Sequence, residues 1–504
     1  MNVTSTNPRS GETRSLGITE HTVAEVADLA VRAAGASAPY AARPLTWRAS
    51  LLGAMADALE EDAQGLVGLA QEETALSEAR LRAELARTAF QLRFFAGVVR
   101  DGMFLAASID EATDSPMGPL PDLRRVRVPI GPVAVFGSSN FPFAFSVPGG
   151  DTASALAAGC AVLIKAHPAH PATSAAAFSA LERAARAAHA PEGLLGLVFG
   201  LQAGTALVEA ADVAGVGFTG SLSAGRALWA RANARAVPIP FFGELGSANP
   251  LVVTRAAAAA RAEQIAVGAA GSVTLGVGQF CTKPGLLFVP SGASGDALVA
   301  ALVSELQSMS GFTMLSTSIA ENFRRGARRL QDEGGATVLV DGEWGEAAHI
   351  SARLLQVDAE RFRVGASLHE ECFGPLALVV RYESAAELER AVRAAEPSLT
   401  FTLHLGPDDP DARWLIELGA ARAGRVLVDA FPTGVGVSWS MLHGGPWPAT
   451  TAPSATSVGA ASIERWLRPV TYQSVPAHLL PAALRDENPL GIPRRLNGRL
   501  ELTS

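Results

Sequence analysis

Cysteine is scarce: three residues in a chain of 504 are too few for a disulfide framework and fit a reducing compartment. Positive charge is in deficit. Forty-one Lys and Arg face 49 Asp and Glu, for a formal net charge of −8, and no long basic block is present. Binding to a phosphate backbone needs clustered cations, so nucleic acid is not expected as a partner. Long apolar runs are missing as well. Residues 153–164 and a weaker stretch near 265–278 both fall short of the ~20 residues that cross a bilayer, and Gly, Ser and Thr interrupt them. The first 17 residues are polar and lack the apolar segment of a secretory signal. There is no internal repeat and no low-complexity linker. With hydrophobic residues at 48% and charged residues at 18%, the chain can bury large cores, and disorder throughout is excluded. These features predict a cytoplasmic globular protein with no membrane partner, and the length suggests roughly three folding units.

The patterning that remains is informative. From about Ile18 to Val99, apolar residues recur at three- and four-residue spacing, which predicts helices. Residues 114–132 hold five prolines around the alternating Leu123-Arg-Arg-Val126-Arg-Val128, which predicts an extended strand or hairpin. Arg is expected on one face and Val on the other, in an edge strand suited to pairing with another subunit. Short β-branched runs then alternate with Ala-rich helical runs. The first series has strands at 132–136, 161–164, 196–199 and 215–218, and helices at 145–158, 172–188, 203–211 and from Ser223. A second series runs from about Leu251 to Val428. Strand–helix alternation of this kind predicts an α/β fold with parallel sheets.

Three segments carry chemistry. Gly278-Gln-Phe-Cys281-Thr282 sets a cysteine in a Gly-rich turn among polar neighbours. A free cysteine is usually a small buried hydrophobe, the role expected of Cys160 and Cys372, but the surroundings of Cys281 make it a candidate nucleophile. Phe242-Gly-Glu244-Leu-Gly246-Ser-Ala-Asn249 sets a carboxylate in an apolar stretch. It is either a surface glutamate or a buried one with a raised pKa, suited to general-base work. Asn140, in Val135-Phe-Gly-Ser-Ser-Asn140-Phe-Pro142, lies just past a strand end, where its amide can cap a helix or donate to an oxyanion.

Asn140-Phe-Pro142, Phe218-Thr-Gly220-Ser221 with Gly225, Glu244-Leu-Gly246, Gly278-Gln-x-Cys281-Thr282 and Glu370-Glu371-x-Phe373-Gly374-Pro375 follow one another in this order. Together they resemble the aldehyde dehydrogenase superfamily over nearly the whole chain. Gly271–Cys281, Lys165-Ala-His167-Pro168, Phe431-Pro-Thr-Gly434 and His443-Gly-Gly-Pro-x-Pro-Ala-Thr450 resemble its α-ketoglutarate semialdehyde (2,5-dioxopentanoate) branch. Ser139, Ser247, Gly436 and Ala452 depart from the usual pattern. The resemblance implies two Rossmann-like α/β domains with a small oligomerisation hairpin and a C-terminal tail. Residues 1–113, 133–243 and 443–468 would bind cofactor, 244–442 would form the catalytic domain, and 114–132 and 469–504 would assemble a homodimer or homotetramer.

By the same resemblance, Cys281 attacks the aldehyde and Asn140 holds the oxyanion. Hydride leaves to a nicotinamide, and Glu244 activates the water that hydrolyses the thioester. The implied substrate is 2,5-dioxopentanoate or a short relative such as succinate semialdehyde. A CoA-acylating enzyme would have no use for Glu244, and a non-enzymatic scaffold would need none of the three. No Gly-x-Gly-x-x-Gly follows a strand, so the usual Rossmann fingerprint is absent. The resemblance instead assigns Lys165, His167, Gly220, Ser221, Gly225, Leu245, Glu371 and Phe373 to NADP or NAD, and no metal is expected. Pro168 stands where NAD-specific relatives tend to carry a ribose-binding glutamate, so NADP is expected to be accepted.

Overall fold

A computed structural model describes residues 1–309, 311–363 and 367–502. The last two residues of the expected C-terminal tail lie outside that range. The chain is α/β, with two sheets of Rossmann-like build, the first parallel and the second parallel but for one edge strand. The first comprises β1 (Val133–Phe136), β2 (Val162–Lys165), β3 (Leu195–Val198), β4 (Gly215–Thr219) and β5 (Phe241–Glu244), in the order 3-2-1-4-5. Every residue of β1 and β2 is buried, as expected of strands covered by helices on both faces. The N-terminal helices Val23–Ala41, Leu45–Glu61, Ala63–Thr74 and Glu78–Asp101 share that core.

The helical region starts later than its periodicity predicts. Ile18 belongs to the strand Thr13–Thr19, which pairs antiparallel with Asn2–Thr6. The first helix opens at Thr22, whose hydroxyl accepts from the Glu25 N–H while the Glu25 carboxylate accepts from the Thr22 N–H. The helix expected over 145–158 spans only Gly150–Ala158. Pro148 disfavours helical backbone at Val147, so residues 137–149 remain a loop, with the N–H groups of Phe143 and Ala144 on the Glu84 carboxylate.

The second sheet comprises β6 (Pro250–Val253), β7 (Leu286–Pro290), β8 (Thr337–Asp341), β9 (Arg353–Asp358), β10 (Leu376–Tyr382), β11 (Ser398–His404) and β12 (Ala423–Val428). Its order is 8-9-10-7-6-11-12, and only β8 is antiparallel to its neighbour. Among the described residues, no helix is long and apolar enough to cross a membrane.

A third sheet corrects the expectation for 114–132. The strand Leu123–Pro129 is not an edge, because Leu467–Gln473 covers it antiparallel, with Val470 opposite Val126. The expected separation of faces fails at Arg124. It shares the buried face of Val126, where Asp122 and Asp486 neutralise it and the Leu484 carbonyl accepts a hydrogen bond.

Trp466, immediately before Leu467–Gln473, is fully buried in the first core. Its indole N–H donates to Ser154 Oγ at 2.8 Å, and its ring meets Phe242 edge-on at 5.4 Å. Trp466→Ala is expected to cost about 3–5 kcal/mol, read as a lowered denaturation midpoint. An unchanged midpoint would show that this contact does not dock the C-terminal segment.

Candidate active site

The order of the first sheet reverses at β1, and ligands of doubly wound sheets bind at carboxyl ends beside such a reversal. Phe136 leads into the Asn140 loop, β2 ends on Lys165, β4 runs into Gly220-Ser221, and β5 ends on Glu244. The ladder aligns these ends, pairing Phe136 with Lys165 and Thr219 with Glu244. From Glu244 the chain passes directly through 245–249 into the amino end of β6. Cys281 and Glu371 lie just before β7 and β10, so the carboxyl edge of one sheet faces the amino edge of the other.

Backbone geometry shapes the Cys281 turn. Gly276, Val277 and Gly278 have φ of 57°, 64° and 64°, in the left-handed region. A Cβ on Gly278 would stand 2.3 Å from the Gly374 carbonyl carbon, so only glycine lets the two loops meet. Asn249 holds the far side of the turn. Its Nδ2 donates to the carbonyls of Cys281 at 2.7 Å and Lys283 at 3.0 Å, while its Oδ1 accepts from Thr400 N and Oγ1. Asn140 Nδ2 donates to the Gln279 carbonyl at 2.8 Å, and its second N–H has no partner among the described residues. Asn140 caps no helix, since the next one is capped by Gly149.

Cys281 is half-buried, whereas Cys160 and Cys372 are buried and face backbone carbonyls. Cys281 Sγ lies 3.3 Å from His443 Nε2, and Glu244 Oε1 lies 2.8 Å from the same nitrogen. Only the sulfur contact is aligned with the ring nitrogen, and Glu244 Oε1 has no aligned donor among the described residues. The other Glu244 oxygen accepts from Ser457 Oγ. Burial pushes the Glu244 carboxyl up, but the Ser457 hydroxyl and the charge that His443 carries once protonated outweigh it and hold the group below the usual range. The pKa expected from burial alone is thereby corrected. Burial and the neighbouring Glu244 charge push the Cys281 thiol well up. With its ring neutral, His443 is placed to take that proton, and the thiolate–imidazolium pair would then sit beside a carboxylate. The three donor atoms lie within 4.8 Å of one another, a set of the kind a thiophilic divalent cation also takes.

The residues assigned to a dinucleotide line the same edge. Gly220 and Ser221 are exposed at the start of the helix Leu222–Ala234, and the Ser221 hydroxyl accepts from Ala224 N. Gly225 is tight against Leu245, whose Cδ2 would stand 2.2 Å from an added Cβ. Leu245 is itself buried, so its side chain supports the helix rather than an open face. Burial pushes the Lys165 ammonium down to about 8, partly offset by Glu20. His167 is half-buried by solvent exposure, and its Nδ1 accepts from Ala169 N. Glu371 packs against Gly246, and burial pushes its carboxyl up to about 7. Phe373 is half-buried two residues on. A buried cation at the β2 end, an accessible helix start and a desolvated carboxylate fit the phosphates and ribose hydroxyls of a dinucleotide.

The aldehyde dehydrogenase family model matches residues 2–402. This chain belongs to the aldehyde dehydrogenase family. It is 46% identical over 468 residues to alpha-ketoglutaric semialdehyde dehydrogenase 2 of Azospirillum brasilense, covering 92% of this chain and 89% of the relative. It is 40% identical over 458 residues to alpha-ketoglutaric semialdehyde dehydrogenase of Acinetobacter baylyi, covering 90% and 87%. The crystal structure of aldehyde dehydrogenase 21 from Physcomitrella patens, in complex with the reaction product succinate, superposes with a TM-score of 0.79 at 18% identity. That match covers 95% of this chain and 96% of the other, and it shows the shared fold.

In this aldehyde dehydrogenase, Cys281 and Glu244 come together as the motifs imply, and Asn140 is tied to the Cys281 loop. Asn249 and the contact of His443 with both Cys281 and Glu244 are not legible in the motifs. His443 comes from a segment 162 residues beyond Cys281, and its only sequence signal is a polar ring amid glycines and prolines. Iodoacetamide is expected to label Cys281, which is only half-buried and faces His443, and to spare Cys160 and Cys372, which are buried. His443→Gln removes the proton acceptor, so labelling at pH 7 should slow about tenfold and its pH profile should move up. An unmoved profile would remove His443 from thiol activation.

Proposed function

We propose that this enzyme oxidises 2,5-dioxopentanoate to 2-oxoglutarate, using water and a nicotinamide dinucleotide. The identity of 46% across 92% of the chain with a relative named for that aldehyde carries the substrate reading. The grouping of Cys281, His443 and Glu244 supports the chemistry. His443 accepts the thiol proton, and the Cys281 sulfur adds to the aldehyde carbon. The second N–H of Asn140, with the Cys281 N–H, steadies the resulting oxyanion. The bound dinucleotide supplies the hydride acceptor. Glu244, ionised through its buried partners, then takes a proton from the water that cleaves the Cys281 thioester.

Lys165, Ser221 and Glu371 are the groups we assign to the dinucleotide, with NADP serving at least as well as NAD. A glutamate at position 168 would repel a 2′-phosphate by about 4 kcal/mol per unit charge at ~4 Å and an effective dielectric of about 20. Pro168 removes that term, and Lys165 below pH 8 adds an attraction. In assays pairing each cofactor with 2,5-dioxopentanoate, succinate semialdehyde and pentanal, kcat/KM should be highest for 2,5-dioxopentanoate. Strict NAD dependence would overturn the Pro168 argument, and preference for pentanal would overturn the substrate. Cys281→Ala should abolish turnover. Glu244→Gln should retain a burst of about one reduced cofactor per site before slow turnover. Loss of the burst would place Glu244 before the water step.

We further propose a cytoplasmic homodimer or homotetramer. Three free cysteines support the compartment, and the partly exposed edge strand Leu467–Gln473 is the element offered for assembly. Sedimentation at micromolar concentration should give a multiple of the 52.1 kDa chain, and a monomer alone would overturn the assembly.

A further inference from the structure

A cavity of about 220 Å³ opens beside Cys281, walled mainly by Phe141, Phe145, Phe280 and Val435. Three charged side chains from one helix reach it: Arg80, Glu84 and Arg87, spaced so that they share a face of Glu78–Asp101. Two of the three are already committed. Glu84 Oε1 accepts from the N–H groups of Phe143 and Ala144, and Oε2 pairs with Arg80 at 3.1 Å. The Arg80 guanidinium also lies 4.4 Å and 4.9 Å from the ring centres of Phe141 and Phe280. Arg425 does not line the cavity: its terminal nitrogens donate to the carbonyls of Pro432 and Gly434 in the loop that does, although its Nε also lacks a partner among the described residues.

Arg87 is different. Its Nη2 donates to the Val435 carbonyl at 3.3 Å and its guanidinium lies over Phe145 at 5.2 Å, but Nη1 is buried with no partner among the described residues. A buried charged donor without an acceptor is costly, and native interiors rarely leave one. Among the described residues, the cavity wall therefore holds an arginine whose charge Glu84 only partly offsets and whose Nη1 has no acceptor, in an apolar chamber that also exposes the nucleophile. Its complement is a chain with an aldehyde at one end and a carboxylate at the other, the planar guanidinium matching a carboxylate edge to edge.

We infer that Arg87 is the specificity-determining residue that binds the carboxylate of the substrate while its aldehyde carbon rests at Cys281. The inference rests on the proposed oxidation of a semialdehyde and extends to any short aldehyde acid. The reaction is unchanged by it: Arg87 exchanges no proton and forms no bond, and it selects which aldehydes reach the sulfur.

The test measures kcat/KM for 2,5-dioxopentanoate, 5-oxopentanoate and pentanal in wild type, Arg87→Lys and Arg87→Met. Ratios within one preparation are independent of the folded fraction. In Arg87→Met the ratio of either aldehyde acid to pentanal should fall roughly 100-fold, chiefly through KM, with Arg87→Lys between. An unchanged ratio overturns the inference, even if all three rates decline together. If wild type prefers 5-oxopentanoate to 2,5-dioxopentanoate, the substrate assignment falls, while a drop in the acid-to-pentanal ratio still establishes Arg87.

Discussion

The Asn249 carboxamide sits where the chain leaves one sheet and enters the other. It is fully buried, in left-handed backbone with φ of 48°, a conformation asparagine tolerates better than most residues. One side of it holds the Cys281 turn through two carbonyls, and the other accepts from Thr400 on β11. Ser247 completes the knot: its hydroxyl donates to Asn249 Oδ1 at 2.8 Å and accepts from Leu399 N. The departure at Ser247 thus has a structural use. Losing one partner of such a buried network leaves several polar groups unsatisfied, at about 1–3 kcal/mol each. The nucleophile's position therefore depends on a hydrogen-bond knot outside the reacting groups.

The same junction explains the electrostatics. Glu244 ends β5 and is desolvated, yet the Ser457 hydroxyl, and His443 once it is protonated, hold it in the ionised form. Its charge in turn disfavours the Cys281 thiolate, so the resting sulfur is protonated and needs an acceptor. The Glu244 carboxylate and the Cys281 thiol on one dry edge thus set each other's protonation states, with the His443 ring between them.

Lys283 extends this arrangement. It is 2% exposed, and its ammonium donates to the carbonyls of Cys372 at 3.1 Å and Leu376 at 2.7 Å. It thereby ties the segment after Cys281 to the one carrying Glu371, so the loops on the nucleophile and ribose sides share a brace. Gly278 against Gly374 is the steric counterpart of that brace.

Much of this was legible in one dimension. Buried β-branched runs marked the central strands, and Cys281, Glu244 and Asn140 stood out because each is chemically odd in its surroundings. A polar residue among glycines at a strand end signals itself locally, since neither packing nor propensity calls for it there. Asn249 and His443 could not be found this way. Asparagine before proline reads as an ordinary turn, and His443 acquires meaning only when a segment 162 residues further on folds back against Cys281. Arg124 lies two residues before Val126, so alternation puts both on one face, and only the arrival of Asp486 explains why a charge is held there. The sequence by itself determined the strand–helix alternation, the family and the reacting groups, because these depend on neighbours within a few residues. Only the tertiary structure decided which groups share protons and which charges meet, because burial and charge pairing are set by residues distant along the chain.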